Sequence, residues 1–173
     1  MGQYYKAAIL KGNGKTVENW VLSHDFDSGL KLMEHSWIEN EFVRSFETLI
    51  FNNPKRVVWA GDYGDKCNGL KTNVYDRCNE KLQIKPEYPL SVLDSLYIIN
   101  HTKKQYVSKV DVPSIDGWRI HPLPLLTCEG NGRGGGDFRG ESDLVGSWAR
   151  HVISVSGIEP IGFEKINFDL KED

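Results

Sequence analysis

The chain has no C-x-x-C pair, no apolar run of membrane-spanning length and little excess of either charge, and each absence narrows what it can be. Its three cysteines, Cys67, Cys78 and Cys128, are odd in number and far apart. That argues against a disulfide framework and against structural zinc, and for a reducing compartment. A membrane helix needs about 20 consecutive apolar residues, and no stretch approaches that length. The opening "MGQYYKAAIL" lacks the basic-then-apolar order of a signal peptide, and Lys6 stands where a myristoylation signal has Ser or Thr. A cytoplasmic protein with no membrane partner is expected. The formal net charge of −3 shows no global basic footprint, so a nucleic-acid partner is not expected from net charge, which leaves only a local basic patch to consider. Catalytic signatures are missing too: there is no G-x-S-x-G, no G-x-x-x-x-G-K-[ST], and no cysteine in a recognisable activating context. No cofactor is expected.

What is present is the composition of a globular chain, 39% hydrophobic and 26% charged over 173 residues, enough for one core. A single domain over residues 1–173 is the expectation. "YYKAAIL", "KGNGK" and "TVENWVL" spell a hairpin, with Asn13-Gly14 as two positive-φ turn positions. Ser36 to Glu39 reads as a capping box, followed by an apolar stripe of Ile38, Phe42, Phe46, Leu49 and Ile50 that ends before Pro54. The preceding "SGLKLMEH" reads as a turn or a short helix. "RVVWA" reads as a buried strand running into "GDYGD", and Val74 to Leu82 as a second helix. "LDSLYIINHTKKQYVSKVDV" is a second hairpin, turning near Thr102 to Lys104. Pro122 and Pro124 predict an extended "WRIHPLPLLTC", and "WARHVISVS" and "FEKINFDL" are further strand candidates. The fold class expected is α+β: a mostly antiparallel sheet with one main amphipathic helix packed on it.

Two constellations carry candidate chemistry. The first is a long glycine-rich loop, about residues 129–143, in which six of the eleven residues from Gly130 to Gly140 are glycine. Glycines let backbone N–H groups converge on an anion, and Arg133 and Arg139 can add charge and bidentate donors. No helix is expected after the loop, so the standard phosphate-binding reading fails. Trp118 and Trp148 flank the loop in sequence, and strand alternation would send Arg150 and His151 to opposite faces, Arg150 toward the loop. The candidate contact set is therefore Arg133, Gly134, Gly135, Asp137, Arg139, Trp148, Arg150 and Trp118, with core packing as the alternative for each tryptophan.

The second constellation is His24, Asp25, Asp62, Asp65 and His101, oxygen and imidazole groups that follow strands as a divalent metal site requires. Their order loosely resembles the calcineurin-like metallophosphoesterases. Asp62 and Asp65 fit G-D-x-x-D, but "HDFD" is not D-x-H, "NHT" lacks the flanking Gly and acid, and no G-H-x-H follows. His35 and His121 read as packed side chains, and Cys128 as a buried or idle thiol.

The segments "GQYYK", "LMEHSWIENEFV", "VVWAGDYGD", "YIINHTKKQYV" and "HPLPLLTCEGNGRGGGDF…VGSWARHVISV" together resemble a family of small proteins from bacteria, including gut bacteria, and their phages. The resemblance implies a phage or mobile-element context and carries no chemistry with it. By analogy it suggests an inhibitor of host machinery such as antiviral defence. The leading expectation is a non-enzymatic binding protein acting on a protein partner or a phosphate-bearing small ligand. The alternatives are a small metal-dependent phosphoesterase-like hydrolase and a structural subunit of a larger assembly.

Overall fold

A computed structural model of the chain describes residues 3–64, 71–87, 89–130, 138, 140 and 142–171. β1 (Tyr5–Leu10) and β2 (Val17–Val21) form the first hairpin, with Ala7 opposite Val21. The connection is six residues rather than a two-residue turn. Lys11 N–H donates to Thr16 O at 2.8 Å, and Asn13 Oδ1 accepts from the N–H of both Lys15 and Thr16. Of the Asn13-Gly14 pair only Gly14 takes positive φ, +70°. The Asn13 side chain does by hydrogen bonding what left-handed backbone was expected to do.

A short 3-10 turn (Ser23–Phe26) leads to α1 (Leu32–His35) and α2 (Glu41–Ile50). The expected capping box does not form. Ser36 is buried as the last cap of α1, its hydroxyl donating to Leu32 O at 2.6 Å. It cannot also start α2, which instead begins beneath Asn40, whose Oδ1 accepts from Val43 N–H at 3.2 Å. The stripe of Phe42, Phe46, Leu49 and Ile50 faces the core as its spacing required, while Ile38 lies ahead of the helix.

β3 (Lys55–Gly61) follows, then α3 (Val74–Arg77) with a 3-10 extension (Cys78–Glu80), shorter than the predicted second helix. β4 (Leu82–Gln83) precedes the second hairpin, β5 (Tyr97–Asn100) and β6 (Gln105–Ser108), which turns through 101–104. β7 (Ser114–Ile115) and β8 (Trp118–Arg119) make a separate small ribbon, with Asp116 and Gly117 both at positive φ as its two-residue turn demands. The proline segment is a helix, α4 (Pro122–Thr127), and not the extended crossing expected from sequence. Pro122 and Pro124 fall in its first turn, where N–H groups have no intrahelical partner, and His121 Nδ1 accepts from the intervening Leu123 N–H at 3.2 Å. β9 (Cys128–Glu129), β10 (Val152–Ser156) and β11 (Glu164–Lys165) complete the chain, the last two shorter than the strand candidates "WARHVISVS" and "FEKINFDL".

Among the described residues the architecture is mixed α/β: few helices on one strand-rich sheet, ordered β11-β6-β5-β10-β3-β1-β2-β4. β3 is the centre. Its neighbour β1 is antiparallel, and its other edge is shared, the N-terminal half with antiparallel β10 and the C-terminal half with parallel β9. Alternation sends Tyr5, Ala7, Ile9, Val57 and Trp59 into the larger core beneath α2 and α4. Ala8, Leu10, Val58 and Ala60 face a smaller one beneath α3. Trp59 is the anchor of the large core, its ring edge-on to Phe42 at 5.3 Å and to Phe46 at 5.1 Å. No helix among the described residues is long and apolar enough to cross a membrane.

Candidate functional site

The glycine-rich segment leaves the sheet from β9. Between β9 and β10 the strip 148–151 crosses beside β3, and Arg150 sits in it with φ +67°, its N–H donating to Val57 O at 2.8 Å. The same turn aims the guanidinium at Glu129: Nε–H donates to Oε2 at 2.7 Å and Nη2 to Oε1 at 2.5 Å. Nη1 also donates to Gly14 O at 3.1 Å. One arginine therefore ties together the root of the segment, the crossing strip and the β1–β2 loop. With the side chains 25% and 19% exposed, this bidentate pair fixes geometry more than it adds stability.

Close backbone packing surrounds that root. A Cβ at Gly130 would meet Gln3 Oε1 at 2.1 Å, and one at Gly61 would meet Glu129 O at 2.6 Å. These glycines let the strand ends close around the buried Gln3. At the far end of the segment Phe138 is buried in the large core, Ser142 donates its hydroxyl to Asp169 O at 3.2 Å, and a Cβ at Gly140 would strike Lys171 O. An open cavity of about 290 Å³ beside this exit is lined by Ser142, Asp143, Asp169 and Lys171.

Arg133, Gly134, Gly135, Asp137, Arg139 and Asp65 lie outside the described residues. Trp148, expected on the contact surface, is 1% exposed and packs in the large core, its N–H bonded to Leu126 O. Trp118 is 62% exposed on β8, its ring 6.0 Å from that of Trp37. The alternation expected for Arg150 and His151 fails because β10 begins at Val152; His151 Nδ1 instead accepts from Asn100 Nδ2 at 3.0 Å.

The described members of the metal set do not meet. Asp25 accepts from Gln83 Nε2 at 2.7 Å, and Asp62 accepts from Tyr4 N–H at 3.1 Å. His101 pairs with Ser154 Oγ at 2.7 Å and lies edge-on to Phe163. Its N–H bonds Val152 O, and Val152 stands opposite Arg56. Asp62 lies beyond the far end of β3, on the order of 20 Å further along from Arg56 at ~3.3 Å per residue. Among the described residues no three of His, Cys, Asp and Glu converge as metal ligands. A shared end of sequence motifs does not guarantee a shared end of the sheet, because β5 is staggered against β3.

A buried polar cluster went unread in the sequence. Glu47 on α2 holds Lys109 Nζ at 2.5 Å through Oε2 and His121 Nε2 at 3.0 Å through Oε1, and Lys109 Nζ also donates to Ser95 Oγ at 2.8 Å. Burial works to raise the Glu47 pKa, but the Lys109 and His121 charges and their hydrogen bonds outweigh it and bring it down to about 2. Because His121 Nδ1 accepts the α4 N–H, the ring proton sits on Nε2 and points at Glu47; burial, partly opposed by Glu47, lowers the pKa of this imidazole. The cluster braces α2, α4 and the end of β6, and no described face of it is open to a substrate. Its signal was present: Glu47 shares the α2 face of Val43 and Ile50, and a carboxylate in an apolar stripe requires a buried partner. His35 is equally internal, accepting from Trp59 Nε1–H at 2.8 Å and meeting Gly29 O at 2.9 Å through Nδ1.

No family model, curated protein or solved structure matches the chain.

Proposed function

We propose that the protein is a non-enzymatic binding protein whose contact surface is the Gly130–Gly140 segment with Arg133 and Arg139, together with Arg150 at its root and the exposed Trp118 that precedes it in sequence. The carrying observation is the Arg150–Glu129 clamp: it fixes the root of the segment to the sheet, as Phe138 and Ser142 fix its exit. Segments held at both ends by a rigid scaffold are where binding residues concentrate. Trp148 is not part of this surface, being core. The scaffold is taken as one α+β domain over residues 1–173, mostly antiparallel, with α2 as its main helix. The surface acts by occupying a protein partner or by holding a phosphate-bearing small ligand, and the phage resemblance makes a host defence component the partner to seek first.

The test is retention of a partner or ligand from host lysate, identified by mass spectrometry, by the intact chain and by Arg133→Ala with Arg139→Ala. The double variant should lose what the intact chain retains while keeping its Tm. Undiminished retention by the double variant sinks this assignment of the surface.

A further inference from the structure

The sheet topology creates a separation of charge that composition averages away. Leu10 pairs with Arg56, Arg56 pairs with Val152, and Val152 O accepts from His101 N–H at 2.8 Å. These four residues form one row across β1, β3, β10 and β5. The chain segments flanking the row are 11–16, 55–56, 150–151 and 101–104, and they gather Lys11, Lys15, Lys55, Arg56, Lys103 and Lys104. None of these six is ion-paired with a described carboxylate. Arg56 donates to the carbonyls of Gly12 at 3.2 Å and Arg150 at 2.9 Å, which draws the first hairpin loop onto the row without neutralising its charge. His151, between them, has its pKa lowered first by burial and then by the charges of Lys103 and Arg56, so both cations reach the same point.

The acids beside the row are Glu18 in the β2 bulge, Glu129 clamped by Arg150, and Glu164, whose carboxylate accepts from Gln105 Nε2 at 3.4 Å. They leave it net positive. Asp25 and Asp62 follow the opposite ends of β2 and β3, with Asp76 nearby on α3.

We propose that this row binds the sugar–phosphate backbone of a nucleic acid strand, a function separate from the Gly130–Gly140 surface. The row spans three strand spacings, about 14 Å at ~4.8 Å each. Charges spaced along a line suit successive phosphates, whereas a lone phosphate needs donors converging on one point. An anionic membrane fits less well, because none of the large exposed apolar side chains stands in the four segments.

The experiment is fluorescence anisotropy of a labelled, mixed-sequence single-stranded RNA and its DNA counterpart across a salt series. The intact chain should bind at low salt, with affinity falling steeply as salt rises. Each phosphate contact contributes about −0.7 to the log–log slope for single strands, so Lys11→Gln with Lys55→Gln and Lys103→Gln should flatten it by about 2 and weaken binding at least tenfold. Lys71→Gln, exposed at the opposite end of the sheet where Asn73 bonds Asp62 O, and the Arg133/Arg139 double variant should bind like the intact chain, which separates this proposal from the preceding one. Equal Tm for all variants excludes misfolding. The proposal is overturned by no binding of either oligonucleotide at low salt, by an unchanged slope in the triple variant, or by retention on phosphatidylserine vesicles alone.

Discussion

Lys109 Nζ stands 2.5 Å from Glu47 Oε2 with the two side chains 2% and 1% exposed, so a charge on β6's continuation is neutralised by one on α2 inside the core. Breaking such a pair from one side costs about 3–5 kcal/mol, since it strands the other charge. Glu47→Ala should therefore lose that much in urea denaturation. Glu47→Leu with Lys109→Met should recover most of it, because the stranded charge is gone. Equal stability of both variants would mean that the pair does not brace the core.

Acid should weaken the fold in two stages. Burial holds His35 down at about 4 against an ordinary 6.5, opposed by its bond to Gly29, so the unfolded chain takes up a proton before the folded one does. The stability contributed by neutral His35 is complete above pH 6.5 and is lost as pH falls toward 4, roughly 2 kcal/mol by pH 5. His121 shifts in the same direction. Glu47, depressed to about 2, adds a loss between pH 4.5 and 2. Tm measured from pH 8 to 4 should fall within the first window, and His35→Gln should flatten that part of the curve.

Arg150 combines a left-handed backbone with a bidentate side chain. Arg150→Ala loses the clamp and keeps the strain, whereas Arg150→Gly loses the clamp and relieves the strain. The glycine variant should be the more stable of the two by about 1 kcal/mol. The reverse order in chemical denaturation would show that φ +67° is not strained here.

The two flanking tryptophans should separate cleanly. Trp148→Ala should cost about 3–5 kcal/mol as a core cavity, while Trp118→Ala, 62% exposed, should cost under about 1 kcal/mol. Comparable losses in differential scanning calorimetry would contradict the burial difference.

Local signals were read correctly where the deciding interactions are close in sequence. The α2 stripe, the stop before Pro54 and both hairpins depend on neighbours a few residues away. The capping box failed because Ser36 serves the helix before it, and the proline segment became a helix because His121, fixed by Glu47, caps the one first-turn N–H between two prolines. Both outcomes depend on partners that a short window does not contain.

The same division runs through the candidate surfaces. Glycine at 130, arginine at 133 and 139 and the alternating apolar residues of β1 and β3 follow from the sequence alone, because side-chain chemistry and strand period are local properties. Which Trp is buried, that Arg150 turns back onto Glu129, and that cations from four separate segments share one row were settled only by strand order and register. Those depend on contacts between residues 21 to 136 positions apart, and chain entropy lets such contacts form only when the whole core closes.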